Sequence, residues 1–249
     1  MIELSHITRI FNKGKDNEVK ALQDVSLQIN DGEFVTVIGA NGSGKSTLLN
    51  IIQGADIPTA GTVKINGSDV TPLPEYKRSK WVARVFQNPS NGSAPDLSIL
   101  DNFRLAALRA GKRKLVVGVN AAFKKRVQET IAPLKMGLEH KMNQPIGSLS
   151  GGQRQALTLL MSTMDASDII LMDEPTAALD PRSSQVVLDL ADTLNKETRK
   201  TTVLITHNLK DAHQYGNRLI VISEGRIIRD LPEAEKKQLA LQDMYLLFA

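Results

Sequence analysis

Over the first 70 positions, apolar residues come in short clusters separated by turn chemistry. Residues 2–7 and 25–29 alternate or cluster apolar side chains, and Asn30-Asp31-Gly32 is a tight-turn sequence leading into a third run at 34–38. Residues 62–65, followed by Asn66-Gly67, give a second hairpin signal. At 46–53 the apolar spacing becomes helical and stops at Gly54, which suits a left-handed C-cap. Residues 88–98 form a loop rich in breakers. Helical spacing returns at 98–109 and at 121–131, the second ending near Pro133. From Ile169 onward, strands at 169–172, 202–205 and 219–223 alternate with helices at 183–196 and 209–215. That rhythm predicts βαβ units and a parallel sheet. The chain is therefore expected to be a single α/β domain, 1–249. That α/β core is expected to be interrupted by a helical insertion of about residues 88–150.

Composition narrows the function classes. The 249 residues suit one large domain or a domain with an inserted lobe, and 41 % hydrophobic with 23 % charged residues excludes a disordered or fibrous chain. A net charge of +4 fits contact with nucleotide or an anionic membrane, but it is too small to argue for DNA binding. With no cysteine, disulfides, thiolate catalysis and Cys-ligated zinc are excluded. The first residues carry an early acid and no apolar stretch of signal-peptide length, and nowhere do 18 apolar residues run uninterrupted. A role at a membrane would be played from outside the lipid.

Gly39-Ala40-Asn41-Gly42-Ser43-Gly44-Lys45-Ser46 fits G-x-x-x-x-G-K-[ST] at every fixed position, between a predicted strand and a predicted helix. The glycines let backbone N–H groups close on phosphate oxygens, and Lys45 supplies a charge for the β- and γ-phosphates. The Ser46 hydroxyl suits Mg²⁺, and the helix that starts here, with Thr47 in its first turn, points its positive end at the anion. Glycine-rich loops also precede helices without any ligand, but the Lys-Ser pair and the correct flanks favour a phosphate cradle. Ile169-Ile170-Leu171-Met172-Asp173-Glu174 is an apolar strand ending in two carboxylates, a costly arrangement unless a cation or substrate meets them. On an extended strand the two acids point to opposite faces. Asp173 is then placed for Mg²⁺ and Glu174 for a water attacking the γ-phosphate. The rival reading has both acids capping the turn at Pro175.

Leu149-Ser150-Gly151-Gly152-Gln153 precedes a second helical stretch and offers exposed N–H groups and a hydroxyl, a second anion site. The plainer alternative is that Ser150 is an N-cap and the glycines a hinge. At this element the sequence resembles the ATP-binding cassette (ABC) ATPases, whose signature it matches. The resemblance covers essentially the whole chain, with the parts in the family's order: phosphate loop, Gln87, signature, acidic strand, then Ala178-Leu179-Asp180 and Thr206-His207. It implies the family's fold, a P-loop NTPase core with a mostly parallel sheet and an N-terminal antiparallel β lobe at 1–87 and 165–249, with an inserted helical subdomain carrying the signature at 88–164, and ATP and Mg²⁺ as ligands. It further implies that Phe11 stacks on adenine, with a plain packing role as the rival. Gln87 is implied at Mg²⁺ or the attacking water, His207 at the γ-phosphate, and Ser150, Gly151, Gly152, Gln153 and Asp180 at nucleotide. His6, His140, His213 and Trp81 read as surface or packing residues.

The resemblance also implies partners. Two copies would meet head to tail on ATP, each signature closing over the other's phosphate loop. A separate permease would dock near the loop at 88–98 and the helix that follows, placing the chain peripherally on the cytoplasmic side of a membrane. The basic cluster Arg109, Lys112, Arg113, Lys114, Lys124, Lys125 and Arg126 suits anionic headgroups or, equally, a solvated helical face. The apolar tail at 244–248 is expected to fold back onto the core. Residues 73–78, 156–161 and 214–218 resemble a bacterial subgroup serving importers with a substrate-binding protein, amino acids among their solutes. Alternatives are an exporter subunit, a soluble ABC ATPase on ribosome or nucleic acid, and a simple P-loop kinase or GTPase. No nucleic-acid partner is expected.

Overall fold

A computed structural model describes residues 1–108 and 118–246. Arg109, Lys112, Arg113 and Lys114 of the basic cluster, and the last residues of the apolar tail, lie outside the described residues. Two sheets carry the chain. The strands β1 (Ile2–Phe11), β2 (Val19–Ile29), β4 (Ala60–Ile65) and β5 (Ser68–Asp69) form an antiparallel sheet in the order β2-β1-β4-β5. The second sheet holds β3 (Phe34–Ile38), β6 (Val82–Val85), β7 (Ile169–Asp173), β8 (Thr201–Ile205), β9 (Arg218–Ser223) and β10 (Arg226–Leu231). Its order is β10-β9-β3-β8-β7-β6, parallel throughout except for β10 at the edge.

The core helices are α1 (Lys45–Gln53), the short α2 (Glu75–Arg78), α6 (Pro181–Thr198), α7 (Leu209–Gln214), α8 (Glu233–Lys236) and α9 (Leu241–Leu246). Between β6 and β7 lie α3 (Ile99–Ala107), α4 (Ala121–Ile131) and α5 (Gly151–Met161). The cap predicted at Gly54 is present, and side-chain chemistry adds another at Ser98. Ser98 accepts from the Asp101 N–H at the start of α3, and Gly54 ends α1 in the left-handed region. The helix predicted to stop near Pro133 does so, tightening into a 3₁₀ turn at Ala132–Leu134. Met244 is fully buried against Ile38 and Leu219, so the tail returns to the core as far as it is described.

The two faces of the large sheet have separate apolar layers. On one, Val35, Val37, Leu171 and Ile205 pack beneath Leu48, Leu49, Ile51 and Ile52 of α1. On the other, Phe34, Val85, Ile170 and Met172 join Phe103, Val127 and Leu157 of the helical segment in one continuous cluster. The helices after β6 therefore pack directly onto the underside of the sheet, with no core of their own.

Registry then places the functional termini. Val37 of β3 and Asp173 of β7 both pair with Ile205 of β8, so the phosphate loop and the acidic strand end emerge at one level, separated by a single strand. At about 4.8 Å per strand the two chain ends stand about 10 Å apart, at the carboxyl edge where ligands bind in open α/β sheets. The far end of α1 is pinned by the fully buried Arg78. Its Nη1 donates to the carbonyls of Ile51 (2.6 Å) and Ile52 (3.1 Å), and its Nε to that of Leu73 (2.8 Å). A cation suits a helix C-terminus, and these carbonyls have no partner in the helix itself. Burial pulls the guanidinium down to about 10. Arg78→Met should lower the unfolding free energy by about 3 kcal/mol in urea titrations. Unchanged stability would contradict the anchoring role.

Candidate functional site

The loop between β3 and α1 is shaped by contacts that exclude a side chain. A Cβ at Gly39 would stand 2.2 Å from the Ile222 carbonyl oxygen. At Gly44, which caps α1 with φ 106°, it would stand 2.4 Å from that of Ala21. Both sites accept only glycine. Lys45 is buried, and its Nζ donates to the carbonyls of Gly39 (2.9 Å) and Ala40 (2.8 Å), closing the loop on itself. Burial pushes the ammonium below the usual lysine range, opposed by the carboxylates of Glu174 and then Asp173. The buried Ser43 hydroxyl has no hydrogen-bond partner, an orphan of the kind a ligand satisfies. Asn41 and Gly42 lie exposed at the loop's tip, and Thr47 is half-buried one residue beyond Ser46.

Ser46 reaches across the sheet edge, its Oγ donating to Oδ1 of Asp173 at 3.1 Å. The other carboxylate oxygen accepts from Arg84. Asp173 therefore caps no turn. Glu174 departs from the expectation of opposite strand faces: the strand ends at Asp173, and Glu174 takes a left-handed conformation with φ 45°. That conformation is costly for a residue with a side chain and is held here by the Glu174 N–H bonding the Ile205 carbonyl at 3.0 Å. The resulting bend brings Oε2 to 3.2 Å from Nδ1 of His207. Two residues 33 apart in sequence thus meet.

The other sequence-predicted residues lie apart from this cluster. Ser150 caps α5, forming a reciprocal capping box with Gln153. Gly152 faces α6 so closely that a Cβ would lie 2.5 Å from the Ser183 hydroxyl, and one at Gly151 would be 3.3 Å from Leu179. Asp180 caps α6 through the N–H groups of Arg182 and Ser183, and its bonding to Ser183 holds it below the usual carboxylate range. Among the described residues, no hydrogen bond or ion pair joins Ser150, Gly151, Gly152, Gln153 or Asp180 to the phosphate loop. Gln87 is exposed, and among the described residues its side chain makes no hydrogen bond. Phe11 is half-buried at the end of β1, outside the core clusters, with the Arg9 guanidinium 4.4 Å over its ring. His6 and His140 are exposed surface residues, and Trp81 packs against the α1-side core.

The family model for the ABC transporter matches residues 22–177. The chain belongs to the ABC transporter family. This cassette is 37 % identical to a tyrosine transport ATP-binding protein of Clostridioides difficile, over 98 % of this chain and 97 % of that one. It is 36 % identical to a lipoprotein-releasing system ATP-binding protein of Caulobacter vibrioides, over 91 % and 94 %. It superimposes with a TM-score of 0.80 and 32 % identity on the dimeric post-hydrolysis state of the ATP-binding cassette MJ0796 bound to ADP and Pi, covering 94 % of this chain and 99 % of that one. The chain is an ABC ATPase: it binds and hydrolyses ATP as part of a transporter system.

The donor set beside the loop also fits Mg²⁺. Adjacent ligands of an octahedral ion at about 2.1 Å lie about 3 Å apart, close to the Ser46–Asp173 spacing of 3.1 Å. Among the described residues no three or more His, Cys, Asp or Glu side chains are grouped so that they could hold a metal ion by themselves. The remaining positions would fall to phosphates and water, as this ion prefers. Sequence reasoning missed two residues here. Arg84 was detectable as a lone charge inside the apolar run Val82-Ala83-Arg84-Val85, where only a buried partner permits it. Gln155, fully buried, donates from Nε2 to the Phe86 carbonyl at 2.9 Å, tying the signature helix to the residue before Gln87; nothing local in the sequence marks that contact. Lys45→Ala should weaken ATP binding roughly 10–100-fold by calorimetry, the loss of a charge-assisted contact. Unchanged affinity would remove Lys45 from the site.

Proposed function

We propose that this cassette powers solute import through a separate membrane permease, with ATP held between two copies arranged head to tail. One observation carries the reading. Among the described residues, α1, which starts at Lys45, and α5, which starts behind Ser150, have no bonded contact with each other, and each helix start suits an anion. A second copy brings its Ser150, Gly151, Gly152, Gln153 and Asp180 to the phosphates held by Gly39, Asn41, Gly42, Ser43, Gly44, Lys45, Ser46 and Thr47, while Phe11 stacks on the adenine. ATP then bridges the copies, and loss of its γ-phosphate releases them, a ligand-driven two-state switch.

In the closed state Glu174 accepts the proton of the attacking water. His207, 3.2 Å from Glu174, orients that carboxylate and contacts the γ-phosphate. Lys45 turns from its own loop carbonyls to the β- and γ-phosphates. Mg²⁺, held by Ser46 and Asp173 with Gln87 at its edge, supplies charge neutralisation on the phosphate oxygens when bound.

The permease reading rests on an open cleft of about 920 Å³ between the sheet edge and the helical segment, flanked by the exposed Tyr76 and Leu105 and floored by Thr158 and Met161. That shape and mixed lining suit an inserted helix end. No helix among the described residues is long and apolar enough to cross a membrane. In the proposed arrangement the permease is a separate partner, with the cassette peripheral on its cytoplasmic side. Lys124, Lys125 and Arg126, exposed on α4, then face solvent or headgroups. Import is supported by a phosphonates import ATP-binding protein of Lactococcus lactis at 33 % identity. The tyrosine transport relative makes amino acids the proposed solute class, delivered by a substrate-binding protein. The lipoprotein-releasing relative supports a second reading, an exporter subunit.

Glu174→Gln should bind ATP, slow phosphate release by about 10²–10⁴-fold and accumulate as a dimer in light scattering. Near-normal turnover would reject Glu174 as the base. A variant that is inactive yet always monomeric, with and without its permease, would reject the sandwich.

A further inference from the structure

Arg84 is the one cation bonded to Asp173 among the described residues. It lies in β6 opposite Leu171 of β7, two residues from Asp173, so in this parallel pair all three share the sheet face beneath α1. Its Nη2 donates to Oδ2 of Asp173, while Nη1 donates to Oδ1 of Asn50 and Oε1 of Gln53 on α1, both at 2.6 Å. Asn50 is fixed in turn by Asp56, and Gln53 bonds Glu75. The guanidinium is therefore clamped by three oxygens from two elements, and only its buried Nε lacks a partner. Both members of the pair are largely buried, with 8 % of the Arg84 side chain and 15 % of that of Asp173 exposed. A carboxylate so withdrawn from water needs a cation at all times, whether or not a metal is bound.

We propose that Arg84 is a positioning residue that serves as a resident counter-cation for Asp173. It takes one oxygen, leaves the other turned to Ser46, and keeps the carboxylate neutralised between nucleotide cycles. The fixed charge opposes a second cation on the same group, so Arg84 raises the Mg²⁺ concentration at which the site captures nucleotide. Without it, Asp173 would stay avid for metal after hydrolysis and hold Mg²⁺ and ADP longer. The inference rests on the assignment of Ser46 and Asp173 to Mg²⁺.

The test is a Mg²⁺ titration of fluorescent ADP binding to the full chain, a readout independent of turnover. Arg84→Gln keeps a hydrogen-bonding head for α1 and removes the charge, and its midpoint should fall on the order of tenfold. Arg84→Lys keeps the charge but not the planar fork, and its midpoint should shift clearly less than that of Arg84→Gln. An unchanged midpoint in Arg84→Gln, or an equal shift in Arg84→Lys, overturns the proposal. The unaltered protein gives a second check if the neutral variant does not fold. Mg²⁺ without nucleotide should leave its melting temperature where EDTA sets it, and a rise that Asp173→Asn abolishes overturns the proposal. If ADP binding ignores Mg²⁺ in every protein, the metal assignment itself fails and takes the inference with it.

Discussion

The contact between Ser46 and Asp173 is the constraint on which the site depends. It joins the first turn of α1 to the end of β7, and it exists because β3 and β7 share a register with Ile205 on the strand between them. A slip of one residue in either pairing would turn every side chain of that strand to the other face. The apolar layer under α1 forbids such a slip, since Val35, Val37 and Leu171 would leave it. Hydrophobic burial thus sets the catalytic geometry to within one residue, and hydrogen bonds refine it. The same layer explains why Arg78 and Arg84 are tolerated inside it. Each gives its charge to oxygens, one at the C-terminal carbonyls of α1 and the other at the carboxylate of Asp173.

Much of this was legible in the sequence, where the physics is local. Capping residues, the glycine stop of α1, the phosphate loop and the parallel strands from Ile169 onward all rest on short-range chemistry, and the structure reproduces them. The misses have non-local causes. β6 is four residues with an arginine inside, and its strand character comes from pairing with β7. β10 alternates too weakly to signal and is organised by Arg218, which pairs with Asp230 across the hairpin. Glu174 was expected on the strand; the bend that turns it toward His207 comes from a bond to a strand 31 residues further along the chain.

The signature residues have a structural role of their own, beside the recognition proposed for them. Ser150 and Asp180 cap their own helices, and Gly152 lets α5 approach α6. These contacts fix the helix starts rigidly, which is the state in which an N-terminus attracts an anion with least reorganisation. Because the helical segment shares its core with the underside of the sheet, a shift in one is felt in the other. Gln155, bonded to the carbonyl before Gln87, is a direct link between them.

The central claim, that ATP is gripped by the phosphate loop of one copy and the signature of another, is most directly tested by cross-linking. The chain has no cysteine, and Asn41 and Ser150 are both exposed, so Asn41→Cys with Ser150→Cys adds only the two thiols in question. Under mild oxidation the account predicts a covalent dimer with ATP and none with ADP or without nucleotide. A protein that stays monomeric with ATP, or cross-links equally without it, would contradict the account.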